Sequence, residues 1–373
     1  MPILPGAAKI SCLIAVLLPI VAVGCMAEFN DVETGQIAGT ASPQGLPSAY
    51  DGELLFYVAN NSTDDLLVTN VNSSGSWNGN AMVGDHASVA TPAYLQPFAS
   101  TSYLVFVGSD GHNELNIASS SSNGLDWGKE YVIPGVKTQF APAAACLCEQ
   151  EFPQLAIAYV VDDGTDDLYV IETTNLGVSS TASALKWGTP VKVVGQKSKT
   201  APAMTSFHVF AGDSNPLVLA YVADNASNDL LITTSKDGIH WTADTQVKGP
   251  EDETPQQTPL APALITYVVC CSEQETLLLA YVANNGSNDL FVTTSTDALN
   301  WTKSSPVQGQ QSSVAPALQT PLFAQDVMMA YVANNGSHDL LVTTSSDGIH
   351  WSGSSPVGTQ TSKAAPALGY FIK

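Results

Sequence analysis

Residues 280–301 read AYVANNGSNDLFVTTSTDALNW (Ala280–Trp301), and this unit, repeated, accounts for most of the chain. Its pattern predicts a strand, a polar turn, a second strand and a second turn closed by tryptophan. The opening ten residues recur without a gap from Tyr57, Phe106, Tyr159, Tyr221, Tyr281 and Tyr331. Six tryptophans, Trp77, Trp127, Trp187, Trp241, Trp301 and Trp351, close one copy each. Self-similarity at a fixed period decides the architecture before local propensity does, because each unit needs its neighbours to bury its apolar faces.

Within one copy, Leu277–Ala283 is a continuous apolar run, as in a strand buried on both faces. Asn284–Asn288 supplies a turn in which Gly286 tolerates positive φ and asparagine side chains bond nearby backbone. Leu290–Thr294 is a β-branched strand, Trp301 opens another running toward Val307, and Gln308–Val314 is expected as a polar linker. An alanine-proline-alanine element follows, with its proline at Pro142, Pro202, Pro262, Pro316 and Pro366; the first copy reads Thr91-Pro92-Ala93. Proline lacks an N–H, so it belongs at a strand start, and its small neighbours suit strands converging on an axis. Each unit is therefore four strands, and six units make an all-β, six-bladed β-propeller. The chain begins with a second strand (Glu53–Ala59) and ends with an alanine-proline-alanine strand (Ala365–Ile372). Pairing the C-terminal strand with the N-terminal strands closes the ring and removes its exposed edges.

The turn before each tryptophan carries a second motif: Ser235-Lys-Asp237-Gly238-Ile-His-Trp241, Ser295-Thr-Asp297-Ala-Leu-Asn-Trp301 and Ser345-Ser-Asp347-Gly348-Ile-His-Trp351. Ser121-Ser-Asn123-Gly124-Leu-Asp-Trp127 is a close variant, the Trp77 copy lacks the aspartate, and the Trp187 copy has an insertion. Over residues 50–373 this resembles the Asp-box, or BNR repeat, of the sialidase-type propellers, with glycine directly after aspartate and tryptophan one place early. The resemblance implies a fold marker in which Asp and Ser bond turn amides and Trp packs between blades. It also implies a test, because sialidases hold the substrate carboxylate with an arginine cluster. This chain has no arginine, and lysine is a poor substitute for bidentate carboxylate recognition. Arginine-triad sialidase chemistry is therefore excluded.

Twelve basic residues oppose 34 acidic ones, for a net charge of −22. That field repels phosphate backbones and anionic membranes, so nucleic acid is not an expected partner. Lys9 followed by the apolar run Ile10–Val23 reads as a secretion signal over residues 1–27. Ala22-Val23-Gly24-Cys25 offers lipid attachment at Cys25 as the alternative. Residues 28–49 read as a linker, and the expected location is extracellular or on the cell surface, without membrane insertion once the signal is removed. In an oxidising compartment Cys146, Cys148, Cys270 and Cys271 are expected to pair locally, as CxC and CC bridges, in preference to binding zinc.

The turns between second and third strands share one face with the blade-to-blade connections. That face collects Asn60, Asn61, Asp65, Asp167, Asp224, Asn225, Asp229, Asn284, Asn285, Asp289, Asn334, Asn335 and Asp339, with Gln196, Gln257, Gln311 and Gln360 in the connections. Planar amides and carboxylates beside Tyr281 and Tyr331 are what sugar hydroxyls require, and repetition adds avidity. Glycans are the expected partners of a non-catalytic, lectin-like propeller. The same residues are good turn formers, and that role competes with the ligand role. A glycoside hydrolase with carboxylates borne on loops, such as Glu149, Glu151, Glu273 and Glu275, is the alternative, and a protein-interaction platform the third. No cofactor is implied. Calcium in the acidic turns is the one ion to consider, although no spacing matches an EF-hand or nonapeptide repeat.

Overall fold

The computed structural model describes residues 52–372 apart from 73, 99–100, 122, 149–152, 177–180, 208–215, 251–253, 269–274 and 321–325. The expected signal segment, the linker, and Cys270 and Cys271 lie outside the described residues. The chain divides into Met1–Ser42 and Pro43–Lys373, and every described residue belongs to the second unit.

That unit is a ring of six four-stranded antiparallel sheets, a six-bladed β-propeller. Blade 5 shows the plan, with inner strand Ala263–Val268, second strand Glu275–Val282, third strand Asp289–Ser295 and outer strand Ser305–Gln311. All six inner strands begin at the alanine after the proline, at Ala93, Ala143, Ala203, Ala263, Ala317 and Ala367. The missing N–H thus falls just outside the ladder. Second strands carry the core. Leu277–Val282 are each at most 1 % exposed, as are Tyr57, Tyr221 and Tyr331 in other blades. Each such aliphatic side chain contributes about 1.5–3 kcal/mol by leaving water.

The expected linker after the outer strand is itself strand. Gln308–Gln311 lies in the outer strand, where Asp289 faces Gln311 while Phe291 faces Pro306, so three extra residues form a bulge. Gly309 takes φ +69 within it, and Gly84, Gly135, Gly195 and Gly358 take positive φ at the matching bulges. The polar composition that suggests a linker belongs to a bulged edge strand, where one face meets solvent.

The bulge turns a glutamine side chain toward the next blade. Tyr57 donates its hydroxyl to Gln360 Oε1 (2.5 Å) and Tyr281 to Gln256 Oε1 (2.5 Å), and Tyr221–Gln196 and Tyr331–Gln310 are paired in the same sense. Burial raises Tyr57, Tyr221 and Tyr331 above the usual phenol range. At the seam between blades 1 and 2 the pair is replaced by His86 stacked on Phe106, ring centroids 5.3 Å apart. His86 Nε2 lies 2.9 Å from the Gly128 carbonyl and Nδ1 lies 3.2 Å from Glu130.

Just past each bulge stands a serine or threonine with no exposed surface: Ser88, Thr138, Ser198, Thr258, Ser312 and Ser362. Its N–H donates to the carbonyl of a left-handed residue in the turn of its own blade, as in Ser312 to Asn288 and Ser362 to His338. Its hydroxyl donates two residues onward, Ser312 Oγ to the Val314 carbonyl at 2.7 Å. These pins steer the chain from the outer strand of one blade into the inner strand of the next.

The ring closes as expected. Ala367–Phe371 pairs antiparallel with Gly52–Val58, completing blade 1. Gln96 of blade 2 clamps Ile372, donating to its carbonyl (2.6 Å) and accepting from its N–H (2.9 Å). Tyr94 donates to the Tyr370 carbonyl (3.0 Å), and its ring covers Gly369 so closely that a Cβ there would sit 2.5 Å from it. Gly369→Ala should lower the melting temperature, at a cost of about 1–3 kcal/mol for overpacking. Adding Tyr94→Leu should recover part of that loss. Thermal unfolding of the two single variants and the double variant checks both expectations.

Candidate functional site

Two faces of the ring carry chemistry. The first is the rim built by the turns between second and third strands. In blade 5 Asn285 Oδ1 accepts the Ser287 N–H (3.1 Å) and hydroxyl (2.7 Å), while Asn285 Nδ2 donates to Asp289 Oδ2 (3.1 Å). Asp289 also accepts from the Ser287 hydroxyl, and Oδ1 accepts Gln311 Nε2 at 3.0 Å. Hydrogen bonds from Ser287, Gln311 and Asn285 hold this carboxyl below the usual range. Blade 6 repeats the arrangement through Asn335, Ser337 and Asp339, with the Ser337 hydroxyl on Asp339 Oδ2 at 2.5 Å. Asp229 is held by Gln257 (3.0 Å) and Gln246 (3.4 Å), and Asp167 by Lys192 (2.5 Å) with Lys197 at 3.6 Å.

The rim thus carries Asn284, Asn285 and Asp289 in blade 5, Asn334, Asn335 and Asp339 in blade 6, Asp229 in blade 4 and Asp167 in blade 3. It does not bring Tyr281 and Tyr331 to the surface. Each is 1 % exposed and its hydroxyl is bonded across the seam. Sequence alone cannot separate an aromatic that repeats for a ligand from one that repeats for a seam. The co-recurring glutamines Gln310 and Gln360 were the available signal.

The first residue of these turns sits at the seam. Asn284 N–H donates to the Gln257 carbonyl of the preceding blade (3.0 Å), and Asn334 N–H to that of Gln311 (3.2 Å). Both side-chain amides are exposed and have no hydrogen-bond partner among the described residues. Asp162 shows what this position can engage, since it accepts Asn113 Nδ2 of the neighbouring blade (2.8 Å) and Gln139 Nε2 (2.5 Å). A polar side chain therefore recurs at this interblade position, the interblade notch, with an amide in blades 5 and 6 and a carboxylate in blade 3.

The opposite face carries the tryptophan turns, and these hold their own geometry. Asp237 Oδ1 accepts the N–H groups of Ile239 (2.9 Å) and His240 (2.7 Å) and the Ser235 hydroxyl (3.1 Å), and Oδ2 meets His240 Nδ1 at 2.6 Å. Trp241 Nε1 donates back to the Gly238 carbonyl (3.0 Å). Asp297 and Asp347 repeat the pattern. In blade 1, where the aspartate is missing, Asn72 Oδ1 accepts the N–H groups of Ser74 and Ser76, each at 3.0 Å. The insertion before Trp187 contains a 3-10 turn, Ala182–Ala184.

One carboxyl on this face was not singled out from sequence. Glu172 stands where blades 4–6 have Thr234, Thr294 and Thr344, and it reaches across the seam to the next tryptophan turn. Its Oε1 is buried without a hydrogen-bond partner, in space that opens only because residue 238 is glycine. Burial, then the charge of Asp237, pushes its carboxyl up to about 7. Asp237 moves the other way. Desolvation opposes its ionisation, but the donors from His240, Ile239 and Ser235 outweigh that and hold it well below the usual range.

Cys146 and Cys148 form a disulfide, the CxC bridge expected from sequence. It lines an axial cavity with Leu95, Gln96, Pro97, Ala144, Met204 and Thr205. Among the described residues no cluster of three or more His, Cys, Asp or Glu is placed to hold a metal ion.

Residues 162–369 match the model of the BNR repeat-like domain. Comparison with curated protein sequences returns no match. Among solved structures, the fucose-recognising six-bladed lectin of Aleuria aurantia superposes with a TM-score of 0.57 at 13 % identity, over 85 % of this chain and 95 % of that one. AofleA from Arthrobotrys oligospora, in a variant with three arginines replaced by alanine, gives 0.54 at 12 % identity, over 87 % and 91 %. An α-L-arabinofuranosidase from Fusarium graminearum in complex with an iminosugar inhibitor gives 0.54 at 13 % identity, over 76 % and 85 %. At these identities the likeness establishes the shared propeller fold.

Glu172 gives this face a pH dependence. Between its ordinary value of 4.5 and about 7 the folded chain keeps a proton that the unfolded chain has lost, so stability falls as pH rises through that window. Glu172→Gln should therefore unfold at higher temperature than the parent above about pH 8, with the gap closing toward about pH 4. Calorimetry across that range checks the sign.

Proposed function

The chain belongs to the BNR repeat-like family, and from that premise we propose that it is an exported, non-catalytic carbohydrate-binding propeller with repeated sites at the interblade notches of one rim. The observation that carries this reading is the pair of exposed side-chain amides of Asn284 and Asn334, without a hydrogen-bond partner among the described residues, on residues whose N–H groups bond the preceding blade. An amide offers two donors and an acceptor in one plane, which matches the alternating donors and acceptors of vicinal sugar hydroxyls. Propellers of the same fold include a fucose-recognising lectin and an arabinofuranosidase, and both act on sugars.

The chain's own composition shapes the chemistry. With no arginine, recognition falls to amides, carboxylates and lysines such as Lys199, which reaches Asn228 and, at 3.2 Å, the Asn225 carbonyl. Neutral sugars fit such a surface better than acidic ones, since the chain is strongly anionic. Calcium is not part of the proposal, because the amide donors of Gln257 and Gln311 already address the carboxylates of Asp229 and Asp289.

Hydrolysis needs a second carboxylate free to act beside a protonated one. Glu172 and Asp237 are displaced in opposite directions, as acid and base would be. Yet Glu172 Oε1 lies beneath the next turn and the Asp237 oxygens are filled by four donors. That pair supports a seam better than a reaction.

The test is a glycan array probed with the full chain, with and without calcium. Binding to a defined set of neutral sugars, retained in chelator, is expected. The double variant Asn284→Ala/Asn334→Ala should lose several-fold in apparent affinity while its melting temperature stays near the parent's. A silent array at high protein density, or unchanged binding by the double variant, would overturn the reading.

A further inference from the structure

The turn that builds the rim needs an oxygen at its first side-chain position and nothing more. In blade 3 Asp163 Oδ1 accepts the Thr165 N–H (2.9 Å) and hydroxyl (2.5 Å), and in blade 2 Asp110 accepts the His112 N–H (3.0 Å). Aspartate therefore serves the fold as well as asparagine. Blades 1, 4, 5 and 6 nevertheless carry asparagine there, each time with serine or threonine two residues on and no proline between: Asn61-Ser-Thr63, Asn225-Ala-Ser227, Asn285-Gly-Ser287 and Asn335-Gly-Ser337. All four asparagines are exposed. Their Oδ1 atoms accept both the N–H and the hydroxyl of the Ser or Thr, at 2.5–3.1 Å. The carbonyl end of the amide is thus fixed inward, while the exposed Nδ2 donates to Asp65 in blade 1 (3.0 Å) and to Asp289 in blade 5 (3.1 Å) and has no partner among the described residues in blades 4 and 6. Blades 2 and 3 form the same turn without an amide nitrogen, yet four blades retain it.

We propose that Asn61, Asn225, Asn285 and Asn335 are acceptors of N-linked glycans, which would cover four consecutive blades of the ring and leave blades 2 and 3 bare. Nδ2 bonds to the anomeric carbon of an oligosaccharide carried on a lipid pyrophosphate. The anomeric carbon–oxygen bond breaks, the lipid pyrophosphate leaves, and the proton released from Nδ2 passes to the transferase or to the leaving phosphate. The proposal rests on the reading of this chain as exported. Because Asn285 and Asn335 adjoin Asn284 and Asn334, attached glycans also decide how many notches stay open to a foreign sugar.

Three further Asn-x-Ser/Thr triplets begin at Asn60, Asn72 and Asn300. The last is a poor acceptor in the folded chain. Trp301 is 2 % exposed, and the Thr302 hydroxyl accepts the Thr294 N–H (3.0 Å).

The experiment secretes the full chain from a yeast behind an established leader, so that entry into the lumen does not depend on the chain's own N-terminus. Intact mass and peptide maps are read before and after a peptide-N-glycosidase, which converts each modified asparagine to aspartate. Glycan loss with conversion at Asn61, Asn225, Asn285 and Asn335 is expected. Asn335→Asp, which keeps the turn as Asp163 does, and Ser337→Ala should each remove one glycan from otherwise folded protein. Secreted protein that is bare at these four positions would overturn the proposal. The glycan array, run on both forms, separates it from the binding reading. Stronger binding after deglycosylation supports gating of the notches and equal binding in the two forms overturns it, while an array silent in both removes the lectin reading and leaves the attachment result standing.

Discussion

The hydrogen bond from a buried serine or threonine N–H to a left-handed carbonyl governs this molecule. Left-handed backbone is costly for most residues and tolerable for Asn and Asp, and the turns place Asp64, Asn113, Asp166, Asn228 and Asn288 there, with His338 in the sixth. That conformation aims the carbonyl at the crossover and fixes where one blade hands the chain to the next. The bulge before the pin then sets which outer-strand side chain faces the neighbouring blade. Seam, notch and rim all follow from this one contact.

Much of the fold was legible because the repeats expose it. The inner strands were found from proline and small residues, which mark a strand start at a crowded axis in every blade. In the tryptophan turns the pattern is legible at Ser and Asp, whose side chains bond within the turn as at Ser235 and Asp237. The linker assignment failed at Gln308–Gln311, since a solvent-facing bulged strand has the composition of a loop. The tyrosines show a deeper limit, because a side chain that repeats for packing leaves the same trace as one that repeats for binding. Glu172 was missed for the opposite reason: it occurs once, and a search for repetition passes over it. Its signal was a carboxylate at a position where three other blades have threonine.

The shared propeller fold supports many chemistries, and this chain narrows them by what it carries. Without guanidinium groups it cannot grip a carboxylate in the bidentate way, and its acidity disfavours anionic partners. What remains on the rim is amide and carboxylate chemistry, largely pre-set by internal hydrogen bonds. Such a surface has already given up much of its side-chain freedom, so under the proposed reading weak contacts repeated on several blades would lose little entropy on binding.

The join between the last strand and the first blade has a consequence for synthesis. Glu53–Phe56 emerge from the ribosome before the other five blades, whereas their partners in Ala367–Phe371 follow all of them. Until then the first sheet has an unpaired inner edge, open to any passing strand. Folding of this chain therefore has a natural final step: insertion of one short strand beneath the Tyr94 ring, clamped by Gln96. Synthesis interrupted before Ala367 would leave a ring that cannot lock.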